Sequence, residues 1–313
     1  MLRIGLDAMG GDYAPLNAVL GAIEASRHKD IKIYLFGDET AITGILNDKN
    51  VDPGNFVVVN CSQVIEFSDH PVSSFIRKKD SSIARGFQML AAGEIDAFAS
   101  AGNTGAMMAG SSTSLKLVGR ITRPCISVEL PLPSGKKVLL LDVGFNSECR
   151  PENLLQFAVL GTIYAQTIMK VDNPKVALLN IGEEKEKGTL VLKESYSLLR
   201  DNEYVNFVGN IEPDKLFTIS DAADVVVTDG FTGNIFLKQA EAIYSMVEQR
   251  AIKDSYLEQF NYELYGGTPV LGVSSTVIIG HGRSTPKAIA NMIFKAEEVL
   301  RNGLIDNFNI FAQ

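Results

Sequence analysis

Short, almost uninterrupted apolar runs alternate with longer stretches whose apolar residues recur every three or four positions, nearly from end to end of the chain. The runs are LRIGLDA, IKIYLFG, FVVVN, IDAFASA, KVLLLDV, KVALLNI, YVNFVG, DVVVTD and TVIIGH. Apolar runs of this length without polar alternation predict strands covered on both faces. Between them the helical period predicts helices over Pro15–Lys29, Ser73–Ala92, Pro151–Lys170, Thr189–Arg200, Phe231–Lys253 and Pro286–Arg301. Strand and helix in alternation predict an α/β fold with a largely parallel, Rossmann-like sheet.

The two strongest interruptions are LPLPSGKK (130–137) and YGGTPVLG (265–272). Neither has the composition of a flexible linker, so a single α/β domain over 1–313 is expected. Residues 123–137 hold two strand-like pieces around a Pro/Gly turn and predict a hairpin extension.

Composition narrows the function classes. The 313 residues are 46% hydrophobic and 21% charged, as in an ordinary globular protein. A net charge of −8 argues against a nucleic-acid partner, which demands a basic face. It leaves room for a small anionic substrate, because local fields matter more than the total. Three scattered cysteines (Cys61, Cys125, Cys149) fit a reducing, cytoplasmic setting, and only three histidines make a metal site unexpected. The first residues, MLRIGLDAMGGD, carry charge where a signal peptide has its apolar core.

In an open parallel sheet, ligands collect beyond the carboxyl ends of the strands. There this chain carries DAMGGD (7–12), SAGNTG (100–105), DVGFN (142–146), NIGEEKEKG (180–188), TDGFTGN (228–234) and GHGRS (280–284), six turns expected to converge on one cleft. Asn103, Thr104 and Gly105 open a helix whose free N–H groups suit an anion, although such small residues also permit close helix packing. Asp7, Gly10 and Gly11 end the first strand, where a dinucleotide fold would carry G-x-G-x-x-G; the glycine spacing does not match. With Asp38 placed to imitate a ribose-binding acid, an NAD-dependent dehydrogenase is the alternative reading. Asp142 and Asn146 are further polar candidates for substrate contact. Asp229, Thr232 and Asn234 offer an acceptor and hydrogen bonds at a predicted helix start. His281 between two glycines reads equally as an acid/base or as a turn residue. GEEKEKG reads either as a solvated charged loop or as the source of a lysine facing an anion.

Taken in order, DAMGGDYAP, SAGNTGAMMAG, LLLDVGFN, LLNIGEEKEKG, DVVVTDGFTGN and YGGTPVLG…GHGRS resemble the PlsX family over nearly the whole chain. These are bacterial acyl-ACP:phosphate acyltransferases of fatty acid and phospholipid synthesis. The resemblance implies an architecture like isocitrate and isopropylmalate dehydrogenases and phosphotransacetylase. It implies transfer of a long-chain acyl group from acyl carrier protein to inorganic phosphate, with no cofactor. It also implies a membrane glycerol-3-phosphate acyltransferase that consumes the product. Matched motif by motif, Lys187 is expected to neutralise phosphate charge and Asn234 to hydrogen-bond the reacting carbonyl or phosphate. A homodimer is implied, built partly on the helix after DGFTGN through Ile235, Phe236, Ala240, Ile243, Met246 and Val247, with a dimer and membrane tip near 231–272. The chain departs from the family pattern at Phe145, at Lys215 in a loop that usually holds arginine, and in the short segment 254–265. That segment has aromatic residues but no lysine, so only weak peripheral contact with the inner face of the cell membrane is expected. Arg77–Lys79 with Arg120 and Arg123 form the expected basic patch for the acidic carrier protein.

Overall fold

Apolar runs become strands here wherever turn residues bound them. In chain order the strands are β1 (Leu2–Asp7), β2 (Ile31–Gly37), β3 (Val57–Asn60), β4 (Ala97–Ser100), β5 (Cys125–Pro131), β6 (Lys137–Leu141), β7 (Lys175–Leu179), β8 (Asn206–Ile211), β9 (Val225–Val227), β10 (Thr268–Leu271) and β11 (Thr276–Ile279). The helices are α1 (Leu16–Ala25), α2 (Glu39–Asp48), α3 (Pro71–Arg77), α4 (Ser82–Ala91), α5 (Thr104–Ser114), α6 (Pro151–Thr167), α7 (Leu190–Arg200), α8 (Lys215–Thr218), α9 (Gly230–Gln249), α10 (Tyr262–Tyr265), α11 (Pro286–Arg301) and α12 (Leu304–Phe311). The computed structural model describes residues 1–28, 30–218 and 222–311. Backbone contacts group the chain into two units, Met1–Leu117 with Tyr262–Ile305, and Val118–Asn261 with the residues from Asp306 on.

In the first unit the strands run β3-β2-β1-β4-β11-β10. All are parallel except β10, which returns antiparallel to β11. Ile4 and Leu6 of β1 lie beside Ile33 and Leu35 of β2 and are completely buried. A strand buried on both faces needs helices on both sides. One side carries α1 and α11, whose Val19, Ala22, Ile289 and Ile293 join the core. The aromatic residues Phe36, Phe98 and Phe87 meet edge to face at 5.6 and 5.4 Å, linking β2 and β4 to α4.

The second unit orders its strands β5-β6-β9-β7-β8, with β6, β9, β7 and β8 parallel. The hairpin anticipated near 123–137 is the antiparallel pair β5–β6, closed by Leu132 and Lys136. Through β6 this pair continues into β9 of the same sheet. Val138 to Leu141 and Val225 to Val227 are fully buried, and Phe157, Leu160 and Tyr164 of α6 pack with them in the core.

Several elements differ from the sequence expectation. The helix expected over Ser73–Ala92 is two helices, because Lys78 leaves helical geometry and Ser81 Oγ accepts from Ala84 N–H to cap α4. The helix after SAGNTG stops at Ser114, with Leu115 extended. Asp38, weighed as a ribose acid, instead caps α2 by accepting from Ala41 N–H at 2.9 Å. The first helix ends at Ala25, and its expected last residue, Lys29, lies outside the described residues. The chain expected as one domain groups as two units.

Candidate active site

Each unit gathers its polar loops at the carboxyl edge of its parallel strands, because that is where βα turns must lie. In the first unit these are the turns after β1, β4 and β11, three adjacent strands.

Asp7 closes β1 and is buried. Its Oδ2 accepts from Ser100 Oγ at 2.6 Å and its Oδ1 from Met9 N–H at 3.0 Å. Burial pushes the Asp7 carboxyl above its ordinary value, opposed by hydrogen bonds from Ser100 and Ser82. Ser100 Oγ in turn accepts from Gly102 N–H at 2.9 Å. A Cβ on Gly10 would lie 2.5 Å from Asp7 Oδ2 and 2.7 Å from Gly102 N, so the first turn presses backbone against the second. Gly11 meets the third turn, where Asp12 N–H donates to the Gly282 carbonyl at 2.8 Å.

Asn103 caps α5 by accepting from Ala106 N–H at 3.0 Å, and its amide donates to the Glu66 carbonyl at 3.0 Å. Its side chain thus holds the loop. The exposed Thr104 begins the helix, and the N–H groups of its first turn are the natural donors. Gly105 serves packing, since a Cβ there would lie 2.6 Å from Pro71 of α3. His281 Nδ1 accepts from Arg283 N–H at 3.1 Å, and its ring stacks on Tyr262 at 4.8 Å. Both contacts fit the turn reading of this residue.

In the second unit the loops follow β6, β9 and β7, again neighbours in the sheet. Asp142 is fully buried and engaged at both oxygens. Oδ1 accepts from the N–H groups of Ile126, Gly144 and Phe145, and Oδ2 from the backbone and side-chain amides of Asn146. Burial pushes this carboxyl up, against those donors. Asn146 also donates to the Pro124 carbonyl at 2.7 Å. Asp142 and Asn146, expected as substrate contacts, are therefore the internal brace of their loop.

Asp229 caps α9, its two oxygens accepting from Thr232 N–H and Thr232 Oγ1 at 2.8 Å each. Gly230 N–H donates to the Asn146 carbonyl at 2.7 Å, locking the start of α9 onto the braced loop. A Cβ on Gly233 would collide with the Asp142 carbonyl oxygen, so the helix can approach only because this residue is glycine. Asn234 Nδ2 donates to the Val143 carbonyl at 3.0 Å, which fixes the amide and leaves its second N–H and its Oδ1 available to a ligand.

Lys187 lies at the end of the exposed loop after β7. Its stem covers Gly182, and its carbonyl accepts from Asn180 Nδ2 at 3.2 Å. Asn180 Oδ1 accepts from Ile181 N–H, so one buried amide ties both ends of the loop together. The following Gly188 has φ +84, a conformation that favours glycine. No carboxylate lies within ion-pair distance of the Lys187 ammonium among the described residues.

Sequence reasoning missed Ser100 and Asn180. Both stood in quoted motifs, at strand ends where a small polar side chain turns back to brace a loop. The basic patch changes as well. Lys78 is held by Asp69 at 2.6 Å and by the Val64 carbonyl, and Arg123 donates to the Glu148 carbonyl.

Comparison with known proteins places the chain. A family model described as fatty acid synthesis protein matches residues 2–256. The phosphate acyltransferase of Dictyoglomus turgidum is 39% identical over 319 residues, covering 96% of this chain and 94% of its own. That of Listeria monocytogenes is 40% identical over 328 residues, covering 97% and 95%. A phosphotransacetylase from Streptococcus pyogenes has the same fold at TM-score 0.66 and 15% identity, covering 97% of this chain and 94% of its own. A 4-hydroxythreonine-4-phosphate dehydrogenase from Klebsiella pneumoniae shares the fold at TM-score 0.55 and 13% identity, covering 96% and 97%. With the family model spanning most of the sequence and relatives near 40% identity matching almost all of it, this chain belongs to the PlsX family of fatty acid synthesis proteins.

Proposed function

We propose that this protein transfers a long-chain acyl group from the thioester of acyl carrier protein to inorganic phosphate, giving acyl phosphate for phospholipid synthesis. The observation that carries the reading is near-full-length identity of about 40% to phosphate acyltransferases. The chemistry agrees with the residues available. Phosphate is itself a nucleophile and a thiolate is a good leaving group, so no covalent enzyme intermediate is required. A phosphate oxygen attacks the thioester carbonyl, the C–O bond forms, the C–S bond breaks, and the departing carrier thiolate takes a proton from solvent.

What the protein supplies is alignment and charge. Lys187 neutralises phosphate charge from a loop whose ends Asn180 holds together. Asn234, fixed by the Val143 carbonyl, directs its remaining N–H to the reacting carbonyl or phosphate oxygen. The backbone N–H groups at the start of α5 offer anion contacts in the first unit. The residues Asp7, Asp142, Asn146 and Asp229 hold these donors in place and touch no reacting atom.

The protein partners are acyl carrier protein and a second copy of the chain, with the membrane glycerol-3-phosphate acyltransferase downstream. The dimer reading rests on α9, which leaves Phe231, Ile235 and Met246 more than half exposed at 62%, 55% and 53%. No helix among the described residues is long and apolar enough to cross a membrane. Incubation with palmitoyl-ACP and labelled phosphate tests the activity. Phosphate-dependent release of free carrier protein with labelled acyl phosphate is expected, and a reaction indifferent to phosphate would overturn the reading.

A further inference from the structure

The second unit contains a cavity of about 400 Å³ along the outer side of α6. That volume lies within the range of small-molecule sites. Leu155, Val159 and Ile163, one helical turn apart, form its floor, and Ile121 and Phe308 stand among its walls. Arg120 is the one charged side chain in the lining.

The walls are built in advance of any ligand. Gln156 Oε1 accepts from Thr122 N–H at 3.0 Å and from Thr122 Oγ1 at 2.9 Å, while its Nε2 donates to the Arg120 carbonyl at 3.1 Å. Asn153 adds a bond to Thr122 Oγ1, so the segment carrying Arg120 is pinned to the first turns of α6. On α12, Asn307 donates to Thr167 Oγ1 at 2.9 Å, holding the helix that presents Phe308 against the far end of α6. The polar wall groups are thus bonded to the protein, whereas the exposed Arg120 guanidinium has no carboxylate partner among the described residues. From Leu155 to Ile163 the floor is about 12 Å long at the rise of an α-helix.

An apolar floor of this length with one unpaired cation at one end is complementary to a chain with one charged end. We infer that this cavity binds a single-chain amphiphilic anion, its alkyl chain lying over Val159 and Ile163 and its carboxylate or phosphate meeting Arg120. The guanidinium is suited to either head through paired N–H donors. This goes beyond the acyl-transfer reading, which calls for no second amphiphile site and places its chemistry at the strand ends.

Calorimetric titration with dodecyl phosphate, kept below its micellar concentration, tests the assignment, with laurate and dodecanol as parallel probes. One saturable site insensitive to Lys187→Ala is expected, beside any binding of this product-like probe at the strand ends. Dodecanol should bind at least tenfold more weakly than dodecyl phosphate, and laurate distinguishes a carboxylate source from a phosphate source. Val159→Trp, which fills the floor, should abolish binding, and the exposed Arg120→Glu should weaken it at least tenfold while the far-UV spectrum stays native. Lys187→Ala should leave this binding unchanged, which separates failure here from failure of the acyl-transfer reading. Equal affinity for dodecanol, or wild-type affinity in both Val159→Trp and Arg120→Glu, would overturn the assignment.

Discussion

Lys187 is the residue on which the proposed chemistry leans most. It is an exposed cation at the end of a loop whose backbone is closed by Asn180, so removing the ammonium leaves the loop's own bonds intact. A donor that meets charge developing in the transition state is worth about 10²–10³ in turnover. Lys187→Ala is expected to lose activity on that scale with an unchanged melting temperature; full turnover at saturating phosphate would remove Lys187 from the mechanism. Asp7 makes a different kind of statement. Its carboxyl is raised above the ordinary 3.8 by burial, so in the acid range the folded protein binds that proton more readily than the unfolded chain. The contribution of Asp7 to stability therefore falls as pH rises from about 3.8 through the raised folded value. In Asp7→Asn this pH dependence disappears. The melting temperature of the variant minus that of wild type is expected to move in the variant's favour as pH increases across that window, and a difference independent of pH would refute the buried-acid argument.

At the level of elements, the start of α9 shows how a helix comes to serve a site. Asp229 caps it, Gly230 bonds to Asn146, and Gly233 lets its backbone sit against the Asp142 carbonyl. A methyl group at Gly233 has no space, and the obstacle is backbone rather than a flexible side-chain end. Gly233→Ala is expected to cost about 1–3 kcal/mol, the range for overpacking. Because Asn234 moves with the helix, turnover should fall as well, which a thermal melt paired with a steady-state assay would detect. The same attention to caps explains the missed break between α3 and α4. Apolar spacing persists through Ser73–Ala92, but Ser81 offers a side-chain oxygen to Ala84 N–H, and a new helix starts there. Period alone does not see a cap inside it.

At the scale of the whole molecule, α9 leaves one of its apolar sides uncovered. Ala240 and Tyr244 face inward and are buried, while Phe231, Ile235 and Met246 face the other way and are exposed. A helix apolar on two sides is best satisfied by burying both. Ile235→Glu is expected to convert a dimer to a monomer by light scattering, and a wild-type monomer would refute the assembly. The aromatic segment after α9 is already occupied. Tyr256 packs edge to face on Phe260 at 5.5 Å and donates to the Pro131 carbonyl, and Phe260 lies against Phe217. These rings have little to offer a bilayer, so pelleting with anionic liposomes should recover only a small fraction of the protein, and tight, salt-sensitive recovery would contradict this.

The sequence by itself determined the strands other than β10, which lies in the stretch YGGTPVLG read as an interruption, together with the largely parallel α/β class and the positions of the polar turns. Burial on both faces forces continuous apolar runs such as KVLLL and DVVV, and these can be read without a neighbour. The family was legible for the same reason, since its motifs are contiguous turns. Only the tertiary structure decided what each polar residue does. Asp142 and Asn146 look like ligand groups in DVGFN, but Ile126 N–H and the Pro124 carbonyl, both from a distant strand edge, take up their atoms. Asn103 is claimed by the Glu66 carbonyl in the same way, and Lys78 by Asp69. A buried polar atom must find a partner, and that partner is set by packing across the fold rather than by neighbours in sequence. Under the proposed function, the donors of the second unit that no such contact consumes are Lys187 and the second amide hydrogen of Asn234. The physical reason is that burial follows from local composition, whereas hydrogen-bond satisfaction is a property of the assembled chain.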